Sequence, residues 1–391
     1  SDPSIRTDSH SSRRPNFDTA WPTRIARART EVHLLTIPVF SPRRADLTAL
    51  ALLAAFAVVL YWPIFGIRPV VDDNMYPLAW VDRVPASQLL AGDPGIYPEW
   101  RPLPYSWLWL EHRLVDLRAV PLHFAVNLAL WLTCVVLVHR LVVTLSGSWM
   151  AGALGALFLL TDPRATWALV LIIERQTTMA CAFGLAALLV VVRVGQRQLT
   201  RAELIVVTGL LVGAALSKEY GLAFAFGLVA WAAVNKQGRL LQPALAACAI
   251  YAVLRMTLAG GAVAPYCERM YFFFDERRQC VDLGQSDSLA QMAYNAIGTA
   301  LNLVSPGWLS TEGRPVFAKQ RLITSAILLL PMAIAFAKGA ATVRLMAFVG
   351  AATVLLNVPM YHDRNQLAGA CMAAVIAGVG MERAWRLAGD R

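Results

Sequence analysis

Charged residues are scarce in this sequence. Aspartate, glutamate, lysine and arginine make up 15% of its 391 residues, whereas soluble domains carry roughly 25%. Hydrophobic residues make up 57%, and the mean hydropathy is +0.52. The apolar residues form blocks approaching the roughly 20 residues that cross a bilayer, separated by short charged stretches. These features exclude an ordinary soluble domain and predict an all-α polytopic membrane protein.

The sequence also lacks the features of a nucleic-acid-binding surface. The net charge is +10, but the arginines lie in the N-terminal tail and in short loops, without the interleaved aromatic residues that such surfaces use. We therefore expect membrane lipids, and not nucleic acid, around this chain. The tail lacks the short apolar core and small-residue cleavage site of a signal peptide, so we expect no segment to be removed.

The six cysteines do not form a metal-binding pattern. Four of them fall inside apolar blocks and are predicted to be small core residues: Cys134, Cys181, Cys248 and Cys371. Cys267 and Cys280 share one polar loop, with no histidine or second cysteine pair near enough for a zinc site. If that loop lies outside the cytosol, a disulfide between them is favoured.

The chain divides into a basic tail and one membrane domain. Residues 1–45 are rich in arginine, proline and serine, which predicts a cytosolic and partly disordered tail. Residues 46–391 are predicted to form the transmembrane domain, with about ten spans. The spans are expected near 46–67, 119–144, 149–161, 177–193, 204–217, 221–235, 240–259, 322–337, 340–357 and 366–384.

Charge in the short loops predicts the orientation of the domain. With both termini cytoplasmic, the short inner loops receive most of the lysine and arginine, as the positive-inside rule requires. The long loops 68–118 and 260–321 then lie outside. The amphipathic stretch 288–304 is expected to lie on the membrane surface or to re-enter the membrane, because a full span there would invert everything after it.

An acidic pair, Asp72 and Asp73, follows the first span on the predicted outer face. Such a pair is often only a solvated turn. Paired carboxylates near a membrane surface can also deprotonate an acceptor hydroxyl or hold a divalent metal. The sequence leaves these alternatives open.

Other polar groups fall on the same predicted face. His123 either forms a hydrogen bond within the bundle or contacts a substrate. Glu174 and Arg175 form either a structural ion pair or part of a ligand site, where intramembrane charges usually lie. Lys218 and Glu219 either cap a helical hairpin or bind anionic headgroups. A late outer loop adds Tyr361, His362 and Arg364, of which the last two are suited to holding a phosphate.

The ordered set of motifs resembles the GT-C superfamily of membrane glycosyltransferases, and most closely the membrane portion of the TMTC and protein O-mannosyltransferase-like group. The resemblance covers about residues 46–235. Its motifs are Asp72-Asp73, Trp100 to Leu103 with His123 and Asn127, Asp162-Pro163 followed by Glu174-Arg175, and Ser217-Lys218-Glu219, with a late counterpart in Arg364. Asp162 departs from the pattern, because that group has a histidine before the proline.

The resemblance implies transfer of a sugar from a polyprenyl-phosphate donor on the extracytoplasmic face. Asp72 or Asp73 would then be the catalytic base or the carboxylate that orients the acceptor. A base near the nucleophile and cations near the departing phosphate are what such a transfer needs. The residues expected to bind the donor phosphate or sugar are Arg101, His123, Glu174, Arg175, Lys218, Glu219, Tyr361, His362 and Arg364.

The sequence therefore favours a glycosyltransferase that acts on an acceptor hydroxyl of a glycan, a lipid or a protein. Composition favours a bacterial inner membrane, with the active site facing the periplasm and a role in the cell envelope. No cofactor is indicated, apart from the divalent metal that the acidic pair could hold. The alternatives are a ligase or phosphotransferase on another lipid-linked substrate, a flippase or transporter of a lipid-linked glycan, and a non-catalytic membrane scaffold.

Overall fold

The computed structural model describes residues 42–66, 85–91, 100–115, 120–162, 164–195, 197–258, 341–356 and 367–389, with a few positions between 292 and 337. All of them belong to one compact unit, Pro42–Arg391. Their regular secondary structure is helical, and these residues include no strand. The expected all-α class is therefore confirmed for the described part of the chain.

The described residues form the following twelve bounded α-helices, numbered in chain order. They are α1 Pro42–Tyr61, α2 Ala86–Ala91, α3 Pro102–Leu114, α4 Val120–Ser146, α5 Trp149–Leu160, α6 Arg164–Val170, α7 Arg175–Val194, α8 Arg201–Ser217, α9 Leu222–Val234, α10 Gly238–Leu258, α11 Ala341–Leu356 and α12 Leu367–Gly389. Short 3-10 turns, Trp62–Gly66, Ile172–Glu174 and Glu219–Gly221, extend α1 and precede α7 and α9.

Five helical segments in the described part are long and apolar enough to cross a membrane: Arg44–Gly66, Val120–Ser146, Ile172–Val194, Gly238–Leu258 and Leu367–Gly389. Three shorter apolar helices accompany them, Trp149–Leu160, Glu219–Val234 and Val343–Leu356. A helix of 12 residues such as α5 is only about 18 Å long, which is less than the roughly 30 Å of a hydrocarbon core. A membrane protein is supported, whereas the predicted number of about ten spans is not confirmed.

The predicted outer loop 68–118 contains two helices, α2 and α3. Prolines at the start of α3 suit the first helical turn, where a backbone N–H has no partner within the helix. One side of α3 is buried through Tyr105, Leu108 and Glu111. Trp107 and Leu110 are exposed on another side. This helix therefore brings a carboxylate, Glu111, into the bundle from a segment that is not itself a span.

Antiparallel packing of successive helices brings one set of helix ends together. Helix α4 packs against α5 and α7, α7 packs against α8, and α9 packs against α10 and α11. The hydroxyl of Tyr61, at the end of α1, donates to the backbone oxygen of Leu160, at the end of α5, over 2.6 Å. The N-terminal ends of α4, α7 and α9 therefore lie at the same end of the bundle as the C-terminal ends of α1, α5 and α8.

A second set of charged side chains connects helices at the opposite end of the bundle. Arg140 of α4 forms an ion pair with Asp46 of α1. Arg386 of α12 donates to the backbone oxygen of Ser146 over 3.2 Å. Both arginines lie at the end of the bundle that the charge of the short loops predicts to be cytoplasmic. The structure therefore separates them from the polar cluster described below, while the orientation of the two ends in a membrane stays a prediction.

Helices α9 and α11 approach each other closely at Gly227. A Cβ atom added there would lie 2.6 Å from Cα and 2.7 Å from N of Val349. We expect Gly227→Ala to destabilise the chain by about 1–3 kcal/mol, because neither backbone can yield without moving a helix. Thermal unfolding of the purified protein in nanodiscs measures this effect.

The matched control is Gly209→Ala, because no atom of another described segment lies within 4 Å of an added Cβ at Gly209. That change should be neutral or slightly stabilising, since alanine favours a helix more than glycine does. Equal melting temperatures for the two variants would contradict the proposed close packing of α9 and α11.

Candidate functional site

Six of the residues predicted to bind the donor lie in the described part, and the structure gathers them at one end of the bundle. Each lies at or near the end of a helix. They are Arg101 before α3, His123 near the start of α4, Glu174 and Arg175 at the start of α7, and Lys218 and Glu219 between α8 and α9. Their side chains form three groups, each held together by hydrogen bonds and ion pairs.

The first group surrounds Arg175, whose side chain is 1% exposed. Its Nη1 donates to Oε2 of Glu111. Its Nε donates to Oδ1 of Asn127 over 3.1 Å, and its Nη2 donates to the backbone oxygen of His123 over 3.3 Å. Asn127 in turn donates to the backbone oxygen of Leu171 over 3.2 Å. The guanidinium therefore joins α3, α4 and α7 at one point.

His123 belongs to the same group. Its Nδ1 is bonded to Oε1 of Glu111, and the ring is fully buried. This contact matches the alternative in which His123 forms a hydrogen bond within the bundle. Its Nε2 is buried and has no hydrogen-bond partner among the described residues. Binding of the donor by His123 stays a prediction, in which Nε2 would make the contact.

Glu111 is the hub of this group and has a shifted acidity. Burial alone would raise the pKa of its carboxyl group. The hydrogen bond with His123 and the positive charge of Arg175 outweigh burial, so the pKa lies below its ordinary value of 4.5. The carboxylate is therefore ionised at neutral pH and stabilises the cation beside it.

The lowered pKa predicts a loss of stability in acid. The unfolded chain binds a proton at Glu111 more readily than the folded chain does, so the contribution is complete above the ordinary pKa and is lost as the pH falls below it. We expect Glu111→Gln to melt at a lower temperature at neutral pH and to lose less stability between pH values of about 5 and 3. Melting curves recorded across this range that run parallel for the two proteins would contradict the assignment.

The second group is a buried ion pair between α7 and the end of α8. Nζ of Lys218 lies 3.1 Å from Oε2 of Glu174, and both side chains are 3% exposed. The hydroxyl of Thr177 donates to Glu174 over 2.5 Å and accepts from Lys218 over 2.7 Å. Glu174 therefore pairs with Lys218 and Arg175 pairs with Glu111, so each of these neighbours has a partner from a distant segment, and their part in a ligand site stays a prediction.

The third group lies where α3 and α9 begin and α10 ends. Oε2 of Glu219 accepts from Nε of Arg101 over 3.1 Å, and Oε1 lies 3.4 Å from Nη1 of Arg255. The same Nη1 donates to the hydroxyl of Tyr251 over 2.8 Å. The ring of Trp100 packs at a tilt on that of Tyr251, with their centroids 5.9 Å apart. Charged and aromatic groups are thus combined at the edge of the cluster.

Several predicted residues lie outside the described part of the chain, and their roles stay predictions. They are the acidic pair Asp72 and Asp73, the late loop residues Tyr361, His362 and Arg364, and the disulfide candidates Cys267 and Cys280. Within the described residues, no group of three histidine, cysteine, aspartate or glutamate side chains could hold a metal ion. The described core cysteines, such as Cys134 and Cys181, are buried thiols.

Two charged residues of the cluster were not among the candidates predicted from the sequence. Glu111 lies in an apolar stretch rich in tryptophan and leucine, and Arg255 lies within the apolar helix α10. Charged residues in such surroundings are costly and usually functional. That signal was present in the sequence for both, but it does not reveal the partners that the structure supplies.

The architecture is similar to that of a solved enzyme, the archaeal oligosaccharyltransferase AglB from Archaeoglobus fulgidus, in complex with an inhibitory peptide and a dolichol-phosphate. The TM-score is 0.54 and the sequence identity is 14%, and the match covers 89% of this chain and 52% of that chain. The chain thus corresponds to about half the length of that enzyme. At this identity the likeness shows the fold alone.

The chain therefore shares its fold with an oligosaccharyltransferase, and the expected membership of the GT-C superfamily stays a prediction. The narrower resemblance to the TMTC and protein O-mannosyltransferase-like group is not confirmed. No protein-family model matches the sequence, and no curated protein matches it.

Proposed function

We propose that the chain is an integral membrane glycosyltransferase that transfers a sugar from a polyprenyl-phosphate donor to an acceptor hydroxyl on the extracytoplasmic face. The observation that carries this proposal is the cluster of buried charges at one end of the bundle, in a fold similar to that of an oligosaccharyltransferase. Buried ionised groups are expensive in a membrane and usually line a site for a polar ligand.

The chemistry divides between a base and a set of cations. A carboxylate of Asp72 or Asp73 would take the proton of the acceptor hydroxyl, whose oxygen forms the new bond to the anomeric carbon. The bond between that carbon and the phosphate oxygen breaks, and the phosphate leaves on its lipid. Cations beside the phosphate stabilise the charge that develops on it. Our candidates for these cations are Arg101, Arg175 and Lys218 among the described residues, and His362 and Arg364 in the late loop.

Chain connectivity supports a base at the charged end of the bundle. The described first segment ends at Gly66, and Asp72 and Asp73 follow it within a few residues. An extended chain advances at most about 3.6 Å per residue. Connectivity alone therefore limits Asp73 to within about 25 Å of Gly66, which lies at the end of the bundle where Tyr61 contacts Leu160.

Sugar transfer by the purified protein tests the proposal. The protein in nanodiscs is supplied with a panel of polyprenyl-phosphate sugars and a crude membrane extract as the source of acceptor, and release of polyprenyl phosphate is measured. We expect release with at least one donor, and the same release from Glu203→Gln, which changes a carboxylate at the opposite end of α8.

A parallel assay in proteoliposomes follows movement of the donors between leaflets. Movement of a donor without release of polyprenyl phosphate would contradict the transferase and favour a flippase or transporter. Neither release nor movement would favour the non-catalytic scaffold. Release of free polyprenol, with the sugar phosphate joined to the acceptor, would favour a phosphotransferase.

A further inference from the structure

Glu219 holds two guanidinium groups from different parts of the chain through single contacts. Its two oxygens lie 3.1 Å from Nε of Arg101 and 3.4 Å from Nη1 of Arg255. Arginine binds a carboxylate or phosphate most strongly through two parallel hydrogen bonds. Neither of these two contacts has that form, so the carboxylate is a poor match for the pair of arginines that it bridges.

The guanidinium group of Arg255 has an N–H donor that its described partners do not use. Its Nη1 is shared between Glu219 and the hydroxyl of Tyr251. Its Nε is buried and has no hydrogen-bond partner among the described residues. A buried donor without a partner costs free energy, which is why such groups are uncommon. The position of Arg255 therefore indicates an acceptor that approaches from outside the described residues.

Exposure places the carboxylate on the open side of this group. The side chain of Glu219 is 30% exposed, whereas those of Arg255 and Arg101 are 17% and 4% exposed. A ligand that enters from the open side meets the carboxylate before it meets the cations. Displacing the carboxylate would give that ligand access to both guanidinium groups.

The composition of the group fits a phosphate. Two guanidinium groups face the carboxylate of Glu219, so an anion in its place would meet both of these positive charges. A phosphate offers several acceptor oxygens to the planar donors of arginine, whereas a carboxylate offers only two. The rings of Trp100 and Tyr251 form an aromatic wall beside Arg255, whose guanidinium carbon lies 6.0 Å from the Tyr251 centroid. A phosphate that carries an apolar or sugar substituent suits such a wall.

We propose that Arg101, Arg255 and Tyr251 form a phosphate-binding site that the carboxylate of Glu219 occupies when no ligand is bound. The phosphate of a lipid-linked ligand displaces Glu219, and the carboxylate returns when the phosphate leaves. This inference deepens the proposed function. The binding of a phosphate does not depend on that function, whereas the lipid attached to the phosphate does. The residues that it adds are Arg255 and Tyr251, together with the role of Glu219 as a competitor.

Binding by variants of the full chain in nanodiscs tests the site. The probes are inorganic phosphate, farnesyl phosphate and farnesol, the last being the matched neutral compound. Affinity is measured by titration, and thermal unfolding is recorded at each concentration. Glu219→Gln removes the competing charge and keeps the shape of the side chain, and Arg255→Gln removes one cation. Glu203→Gln at the other end of α8 is the control.

We expect Glu219→Gln to melt at a lower temperature without ligand, because two guanidinium groups lose their carboxylate. It should bind at least ten-fold more tightly than the wild-type chain whichever of inorganic phosphate and farnesyl phosphate the wild-type chain binds. The same compound should restore its melting temperature. Arg255→Gln should bind at least ten-fold more weakly, and Glu203→Gln should match the wild type. A merely structural ion pair would give the loss of stability without the gain in affinity.

Equal affinities for Glu219→Gln and the wild type would overturn the inference, as would unchanged binding by Arg255→Gln. If Glu219→Gln does not fold, Arg255→Lys tests the site in its place: it keeps the charge and loses the planar donors, so it should bind more weakly than the wild type, and unchanged binding would overturn the inference. Equal binding of inorganic and farnesyl phosphate supports a site for free phosphate, and binding of farnesyl phosphate alone supports a lipid headgroup. These outcomes hold whether or not sugar transfer is found, so the two proposals fail separately.

Discussion

Replacing Asp72 and Asp73 by asparagine is expected to lower the release of polyprenyl phosphate by at least about 100-fold, which is the lower end of the contribution of a positioned general base. One of the two single variants, Asp72→Asn or Asp73→Asn, should account for most of that loss, because a single carboxylate takes the acceptor proton. Asparagine keeps the size of the side chain and cannot accept a proton at neutral pH. The initial rate with the best donor of the panel measures the effect.

The dependence of the rate on pH separates a base from a merely structural carboxylate. In the wild-type protein the rate should rise with pH as the carboxylate ionises, and the critical asparagine variant should lose that rise. Both variants should melt within a few degrees of the wild type. Full activity in both single variants and in the double variant would contradict the assignment of the acidic pair to catalysis.

Lys218→Met is expected to destabilise the chain by about 3–5 kcal/mol, because it leaves the carboxylate of Glu174 buried without its cation. The two side chains are 3% exposed and their charged atoms lie 3.1 Å apart. Thermal unfolding in nanodiscs measures the effect. The double variant Glu174→Gln/Lys218→Met should recover much of the loss, since it removes both charges together.

The control for this pair is the ion pair of Arg197 and Glu203, whose side chains are 55% and 24% exposed. Water screens an exposed pair, so Arg197→Met should change the melting temperature little. If Lys218→Met were as mild as Arg197→Met, the burial of the Glu174 pair would be contradicted. If the double variant were no more stable than Lys218→Met, the pair would not be the source of the loss.

Several long apolar helices could be predicted closely from the sequence. The expected spans 119–144, 240–259 and 366–384 correspond to Val120–Ser146, Gly238–Leu258 and Leu367–Gly389. Apolar composition and flanking charges are local properties, so a window of the sequence contains the information that fixes them. The number of crossings was less certain because several apolar helices, such as Trp149–Leu160, are shorter than a bilayer core.

The partners within the site could not be predicted, because they are distant in sequence. Arg101 and Glu219 are separated by 118 positions, and Arg175 and Glu111 by 64. Neighbouring charges such as Glu174 and Arg175 suggest a local pair. The structure instead assigns them to α8 and α3, because the 3-10 turn Ile172–Glu174 precedes the first residue of α7 and the two side chains meet different helices.

The sequence by itself therefore determined the membrane class, the approximate helices and the set of polar residues near helix ends, because each depends on the residues of one segment. The tertiary structure decided which charges meet. Glu111 and Arg255 became part of the site only when α3 and α10 packed at the same end of the bundle as the start of α7 and α9. In a bilayer a buried charge needs a partner, and only packing can supply one from a distant segment.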